Sequence, residues 1–191
     1  MTNDPQLVQR KVAVLGFRAV GKTSLTNSFV DVNGTFDEGY DPTIENRRHK
    51  TIRFRKVHFA TEIVDTAGMD EYSRLSRNAS VGVDGYALVF SVVLRQSYER
   101  IIQINESLLN ALGVAIDIPR VLVGSMSDLS AQREVSHREA KALAASWGAP
   151  YIECSSKTGE NVAEVFHTLL RELSKDDDLL NEREESGCVI I

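Results

Sequence analysis

The sequence predicts an α/β domain, a mostly parallel sheet with helices on both faces. Three observations carry that expectation. Strand-like and helix-like segments alternate along the 191 residues, the pattern of strands joined by helical crossovers. Gly16-Phe17-Arg18-Ala19-Val20-Gly21-Lys22-Thr23 matches G-x-x-x-x-G-K-[ST], the phosphate-binding loop. That loop lies between a short apolar run, Val12 to Leu15, and a stretch suited to a helix, Ser24 to Val30, the context that gives the motif its meaning.

The elements follow in order. Residues 11–15 read as the first strand and 23–30 as the first helix. Val32 to Glu45 is a long polar loop containing Gly34, Gly39 and Pro42, and loops of that length in compact domains are usually functional. Asn46 to Phe54 and Val57 to Asp65 read as two strands joined at Arg55-Lys56, hence antiparallel. Gly85 to Val92 is apolar enough to be buried on both faces. Gln96 to Leu112 spaces Ile101, Ile104, Leu108 and Leu112 as one helix face. Val121 to Val123 and Tyr151 to Cys154 are further strands, with a helix over Glu139 to Trp147 between them. Val162, Val165, Phe166, Leu169 and Leu170 mark the closing helix. The chain then turns acidic, which predicts a domain over 8–174 and a flexible tail over 175–191.

Composition narrows the function classes. A net charge of −5, without a basic stripe suited to nucleic acid, argues against a nucleic-acid polymer as partner. Cys154 and Cys188 are far apart in unlike surroundings, so no disulfide framework is expected and a reducing, cytoplasmic compartment fits. Met1 to Arg10 lacks the apolar core of a signal peptide, and Thr2 excludes the N-myristoylation pattern. Tyr86 to Leu94, the longest strongly apolar stretch, is too short to span a bilayer.

The loop's chemistry explains its spacing. Its glycines let the backbone wrap closely, so successive N–H groups converge on phosphate oxygens, and the following helix adds its positive N-terminus. Candidate phosphate ligands are Arg18, Ala19, Val20, Gly21, Lys22, Thr23 and Ser24, with Lys22 reaching the β- and γ-phosphates. The Thr23 hydroxyl would ligate Mg²⁺, and Asp65, ending an apolar strand before Thr66-Ala67-Gly68, would hold the metal through water. Gly68 offers an N–H to the γ-phosphate, and Thr43 on the long loop a second hydroxyl to the metal.

Gly16–Thr23, Tyr40–Glu45, Asp65–Gly68 and Gly124–Leu129, followed by Cys154-Ser155-Ser156-Lys157, occur in the order of the Ras superfamily of small GTPases, which residues 10–174 resemble. Within it the chain is similar to the Rheb branch. The basis is Arg18 in the phosphate loop, the run Asp65-Thr66-Ala67-Gly68-Met69-Asp70-Glu71-Tyr72-Ser73, and Lys141-Ala142-Leu143-Ala144-Ala145-Ser146-Trp147. The resemblance implies a P-loop NTPase G domain, with a six-stranded mixed sheet and five helices. It also implies a two-state switch that binds GTP and GDP and hydrolyses GTP slowly. Tyr40, Asp41, Pro42, Thr43, Ile44 and Glu45 would form the first switch and effector loop, and Gly68 to Ser76 the second. The implied partners are an effector, by resemblance the TOR kinase complex, and a GTPase-activating protein.

Three departures from the family pattern bear on chemistry. Met69 stands where most members carry a Gln that orients the attacking water, and a thioether cannot donate a hydrogen bond. Arg18 replaces a glycine beside the γ-phosphate, where its bulk would obstruct water and an incoming arginine; its alternative role is a built-in arginine finger. Slow intrinsic hydrolysis is the expectation. Ser125 and Met126 stand where the family has Asn and Lys, while Asp128 keeps the carboxylate that accepts guanine N–H groups. Ser125 is too short to reach both base and phosphate loop, whereas Met126 retains the apolar stem. Ser155, Ser156 and Lys157 would complete the guanine site by backbone N–H and ring contact. Losing one or two hydrogen bonds of about 1 kcal/mol each would weaken binding roughly five- to thirtyfold. The expected result is guanine selectivity with faster exchange and a GTP-biased switch.

Cys188-Val189-Ile190-Ile191 is C-a-a-X, a substrate for a prenyltransferase, with Ile191 favouring geranylgeranyl. The preceding residues are acidic and hold no second cysteine, so one chain would give reversible membrane association on the cytosolic face of endomembranes. The competing reading is a nucleotide-free pseudo-GTPase acting as a prenylated binding module; a P-loop ATPase or kinase is disfavoured by Asp128.

Overall fold

The computed structural model describes residues 7–31, 45–54, 57–68, 81–113 and 118–175. Six strands form one sheet: β1 (Leu7–Gly16), β2 (Glu45–Phe54), β3 (Val57–Thr66), β4 (Gly85–Ser91), β5 (Arg120–Ser125) and β6 (Tyr151–Glu153). Their order is β2-β3-β1-β4-β5-β6, with β2 antiparallel to β3 and every other neighbouring pair parallel. Among the described residues there are four α-helices, against the five of the resemblance: α1 (Lys22–Val30), α2 (Arg95–Leu112), α3 (His137–Ser146) and α4 (Val162–Leu173). None is long and apolar enough to cross a membrane.

Alternation along the central strands supplies two cores. Val12, Val14, Phe59, Ile63, Val89 and Val123 face one way and meet Leu25 and Phe29 of α1 and Phe166 and Leu169 of α4. The Phe29 and Phe166 rings stack there, with centroids 4.0 Å apart. Ala13, Leu15, Val64, Leu88 and Leu122 face the other way, onto Ile101, Ile104 and Leu108 of α2 and Ala140 and Ala144 of α3. Because both faces of β4 are covered, all seven of its residues are buried, which is why it reads as a continuous apolar run.

Two boundaries differ from expectation for physical reasons. β1 begins at Leu7, because Leu7 to Lys11 pair with His58 to Glu62 of β3; ladder hydrogen bonds, not hydrophobicity, make that polar half a strand. α3 begins at His137, because Ser136 caps it by accepting from the Glu139 N–H at 3.2 Å. Ser136 and Glu139 have capping-box spacing, a start signal earlier than the apolar stripe.

Candidate functional site

The sheet topology opens a crevice at the carboxyl end of β1. β3 lies on one side of β1 and β4 on the other, and α1 and α2 pack on opposite faces, the arrangement in which open α/β sheets bind ligands. The phosphate loop leaves β1 into that crevice. A Cβ on Gly16 would lie 2.2 Å from the Val89 carbonyl oxygen of β4, so only glycine fits where the loop departs. Gly21 then turns the backbone at φ 83° into α1, which has no side-chain cap and no acidic residue in its first turn. No carboxylate of the helix's own first turn therefore competes for its positive dipole end.

Lys22 is buried, and its Nζ donates to the carbonyls of Gly16 and Phe17 at 3.2 and 2.8 Å. Burial lowers its pKa to about 8, opposed by the nearby Asp65 carboxylate. The Thr23 hydroxyl donates to Asp65 Oδ2 at 2.6 Å. Asp65 is 1 % exposed, and its Oδ1 is buried without a hydrogen-bond partner. Burial raises its pKa, while the Thr23 hydrogen bond and the charges of Lys22 and Arg48 act in the opposite direction. A buried carboxylate oxygen without a partner costs stability unless a ligand completes it. Mg²⁺ suits this donor set, since it takes one or two protein oxygens and keeps water and phosphate for the rest. Among the described residues there is no cluster of three or more His, Cys, Asp or Glu able to hold a metal.

Gly68 closes the phosphate side. A Cβ there would sit 2.5 Å from the Arg18 Cα, so the chain leaving β3 runs directly against the loop's third position. The Arg18 guanidinium lies over the Phe17 ring, 5.4 Å from its centroid.

The second half of the crevice comes from β5 and β6. Ser125 is buried, and its hydroxyl reaches the carbonyls of Val20 at 2.7 Å and Phe90 at 3.0 Å. A hydroxyl has one proton, so Ser125 spends it on backbone. Val20 belongs to the phosphate loop and Phe90 to β4, so this hydroxyl ties β5 to both. Met126 takes a left-handed backbone at φ 61° and accepts from the Ser91 hydroxyl through its sulfur at 3.2 Å. Its methyl lies 3.9 Å from where a Cβ on Gly21 would stand, so the thioether stretches across the phosphate loop. Ser91 was not foreseen; a small polar residue closing an apolar strand was its only signal. The Ser127 N–H donates to the Cys154 carbonyl at 3.1 Å, which brings residues 125–128 beside Ser155, Ser156 and Lys157. Ser155 is buried and its hydroxyl accepts from the Thr158 N–H at 3.2 Å, while Asp128 and Lys157 are exposed.

The segments leaving the carboxyl ends of β1, β3, β5 and β6 thus carry Arg18 to Ser24, Asp65, Gly68, Ser125, Met126, Asp128 and Ser155 to Lys157. Residues 11–175 match the Ras family. The chain belongs to the Ras family. It is 43 % identical over 182 residues to "GTP-binding protein Rheb homolog" of Dictyostelium discoideum, covering 95 % of this chain and 97 % of that one. It is 41 % identical over 186 residues to "GTP-binding protein Rheb" of Homo sapiens, covering 97 % and 100 %. The Drosophila melanogaster Rheb homolog is 41 % identical over 182 residues, covering 95 % and 97 %. The sheet and crevice above are those of a Ras-family domain. Of the Ras-family positions singled out in the sequence, Tyr40 to Ile44, including Thr43, lie outside the described residues, as do Met69 and Cys188; Glu45 opens β2.

Proposed function

We propose that the protein is a Rheb-like molecular switch that binds GTP and GDP with Mg²⁺ and hydrolyses GTP slowly. The observation that carries this reading is the pairing of buried Lys22 and Asp65 with half-buried Thr23 at the N-terminus of α1, which no side chain caps. A cation held by carbonyls and a half-satisfied carboxylate are costly in a protein that never meets a phosphate. On nucleotide binding, Lys22 would exchange the Gly16 and Phe17 carbonyls for phosphate oxygens. Thr23 and Thr43 would hold the metal directly and Asp65 through water, and the metal would neutralise phosphate charge there.

Asp128 would select guanine by accepting its N–H groups. With Ser125 committed to the loop and Met126 lacking an ammonium, fewer bonds hold the base, which supports faster release and GTP reloading. Hydrolysis would be slow because Met69 offers the attacking water no hydrogen bond donor. The finger role for Arg18 loses support, since its guanidinium lies on Phe17. By relation to Rheb, residues 40–45 would signal to a TOR-type growth pathway, and a GTPase-activating protein would supply the group that Met69 lacks. Prenylation of Cys188 would hold the protein reversibly on the cytosolic face of endomembranes.

The test is the nucleotide content of freshly purified protein, read by chromatography after denaturation. Stoichiometric guanine nucleotide, enriched in GTP, is expected. Empty protein that GTP with Mg²⁺ fails to stabilise against heat would overturn the proposal in favour of the nucleotide-free binding module.

A further inference from the structure

Asp128 is exposed, yet a carboxylate reads a base only when it is held where the base's N–H groups can meet it. Its loop is tied down on both sides. A turn closes around it, the Leu129 N–H donating to the Met126 carbonyl at 3.1 Å. Upstream, the Ser127 N–H donates to the carbonyl of Cys154, the residue after β6, at 3.1 Å. Downstream, past a 3-10 turn over Ser130–Gln132, Arg133 forks the carboxylate of Glu153 in β6. Its two terminal nitrogens donate to different oxygens at 2.9 and 2.8 Å, a bidentate geometry that fixes direction as well as distance.

Glu153 is engaged beyond that fork. Its Oε1 also accepts from the Tyr151 hydroxyl at 2.7 Å and lies 3.2 Å from His137 Nδ1 at the start of α3. Burial acts to raise the Glu153 pKa, but Arg133, Tyr151 and His137 outweigh it and hold the group below the ordinary carboxylate value. Arg133 and Glu153 are both half-buried, unlike the open surface pairs that contribute little. Tyr151 sits over Gly124, where an added Cβ would lie 2.6 Å from its hydroxyl oxygen. The second loop is tied to the same residue. The Asn161 side-chain amide donates to the Glu153 carbonyl at 2.8 Å, with Asn161 in left-handed backbone at φ 55°. Ser155 to Lys157 lie between the two, and the Ser127 hydroxyl crosses to Glu160 of that loop at 3.2 Å.

We propose that Glu153 is a positioning residue for base recognition: through Arg133 it holds the loop that carries Asp128, and through Asn161 the loop that carries Ser155 to Lys157. This rests on the reading of Asp128 as the guanine selector and names the residue that sets how sharply it selects.

The full chain, with Mg²⁺ and either GDP or inosine diphosphate, provides the test. Hypoxanthine lacks the amino group of guanine, so a well-held Asp128 should favour GDP about tenfold. Arg133→Met keeps the apolar stem and removes the fork. It should release GDP about tenfold faster and cut the preference for GDP to about threefold. Arg133→Lys keeps a cation without the fork and should fall between. Glu153→Gln should shift both readouts the same way, and the double variant should do no more than the larger single change. A role confined to stability would lower Tm in these variants and leave the preference for GDP at its native value, which would overturn the proposal. Asp128→Ala separates the two levels. If it abolishes the preference while the Arg133 and Glu153 variants keep it, the guanine reading stands and the positioning role falls. If the native chain shows no preference, or Asp128→Ala retains it, both fall.

Discussion

Single atoms decide how firmly this Ras-family site can hold a base. The Ser125 hydroxyl spends its proton on the Val20 and Phe90 carbonyls, and Met126 contributes a sulfur that accepts from Ser91. Met126→Lys would put a cation over the phosphate loop; with a gain of about 1 kcal/mol, guanine-nucleotide release should slow roughly fivefold. Release of a fluorescent GDP analogue measures it, and an unchanged rate would show that the thioether does not limit affinity. Gly68→Ala would drive a methyl to 2.5 Å from the Arg18 Cα, so GTP affinity should fall in an equilibrium titration. Cys154 gives a pH prediction. Burial, with Glu160 and Glu153 nearby, pushes its thiol up to about 12 from the ordinary value of 9.0. The unfolded chain therefore gives up this proton first, and the thiol's contribution to stability falls as pH rises from 9.0 toward 12. Below that window the native thiol should resist maleimide, with mass spectrometry finding Cys154 modified only after denaturation. That Lys22, Thr23 and Asp65 meet at the start of α1 was legible in motif spacing, since a strand end and a helix start fix their directions. The Ser125 bond was not, because it joins residues 105 positions apart through a strand register that the sequence does not display.

At the scale of elements, packing accounts for what patterning foresaw. The apolar stripe of α4 buries Phe166 on Phe29 of α1, which fixes α1 and hence the phosphate loop at its N-terminus. Phe166→Ala should cost about 3–5 kcal/mol in denaturant unfolding and weaken nucleotide binding through the loosened loop. Ser136→Ala removes only the α3 cap, costing about 1 kcal/mol with nucleotide release unchanged; a change in release would show that α3 couples to the site. Strands buried on both faces were readable as apolar runs. The first half of β1 was not, because its residues are polar and its place is set by pairing with β3.

Over the whole molecule, the sheet order brings distant segments to one crevice, so ligand and fold should stabilise each other. Saturation with GTP and Mg²⁺ at about a thousandfold over Kd should add roughly 4 kcal/mol to unfolding stability. Chelating the metal should remove part of that gain, read as a lower Tm, because Asp65 and Thr23 would lose their ligand. The same architecture sets an order of events during synthesis. β1 and α1 leave the ribosome first, carrying every group that meets phosphate at the loop, whereas Ser125, Asp128 and Lys157 follow more than half a chain later. A nascent chain at that stage owns an anion-binding turn with no means of telling one base from another. On the proposed reading, discrimination would come only with β5 and β6, whose pairing brings Ser125 against Val20.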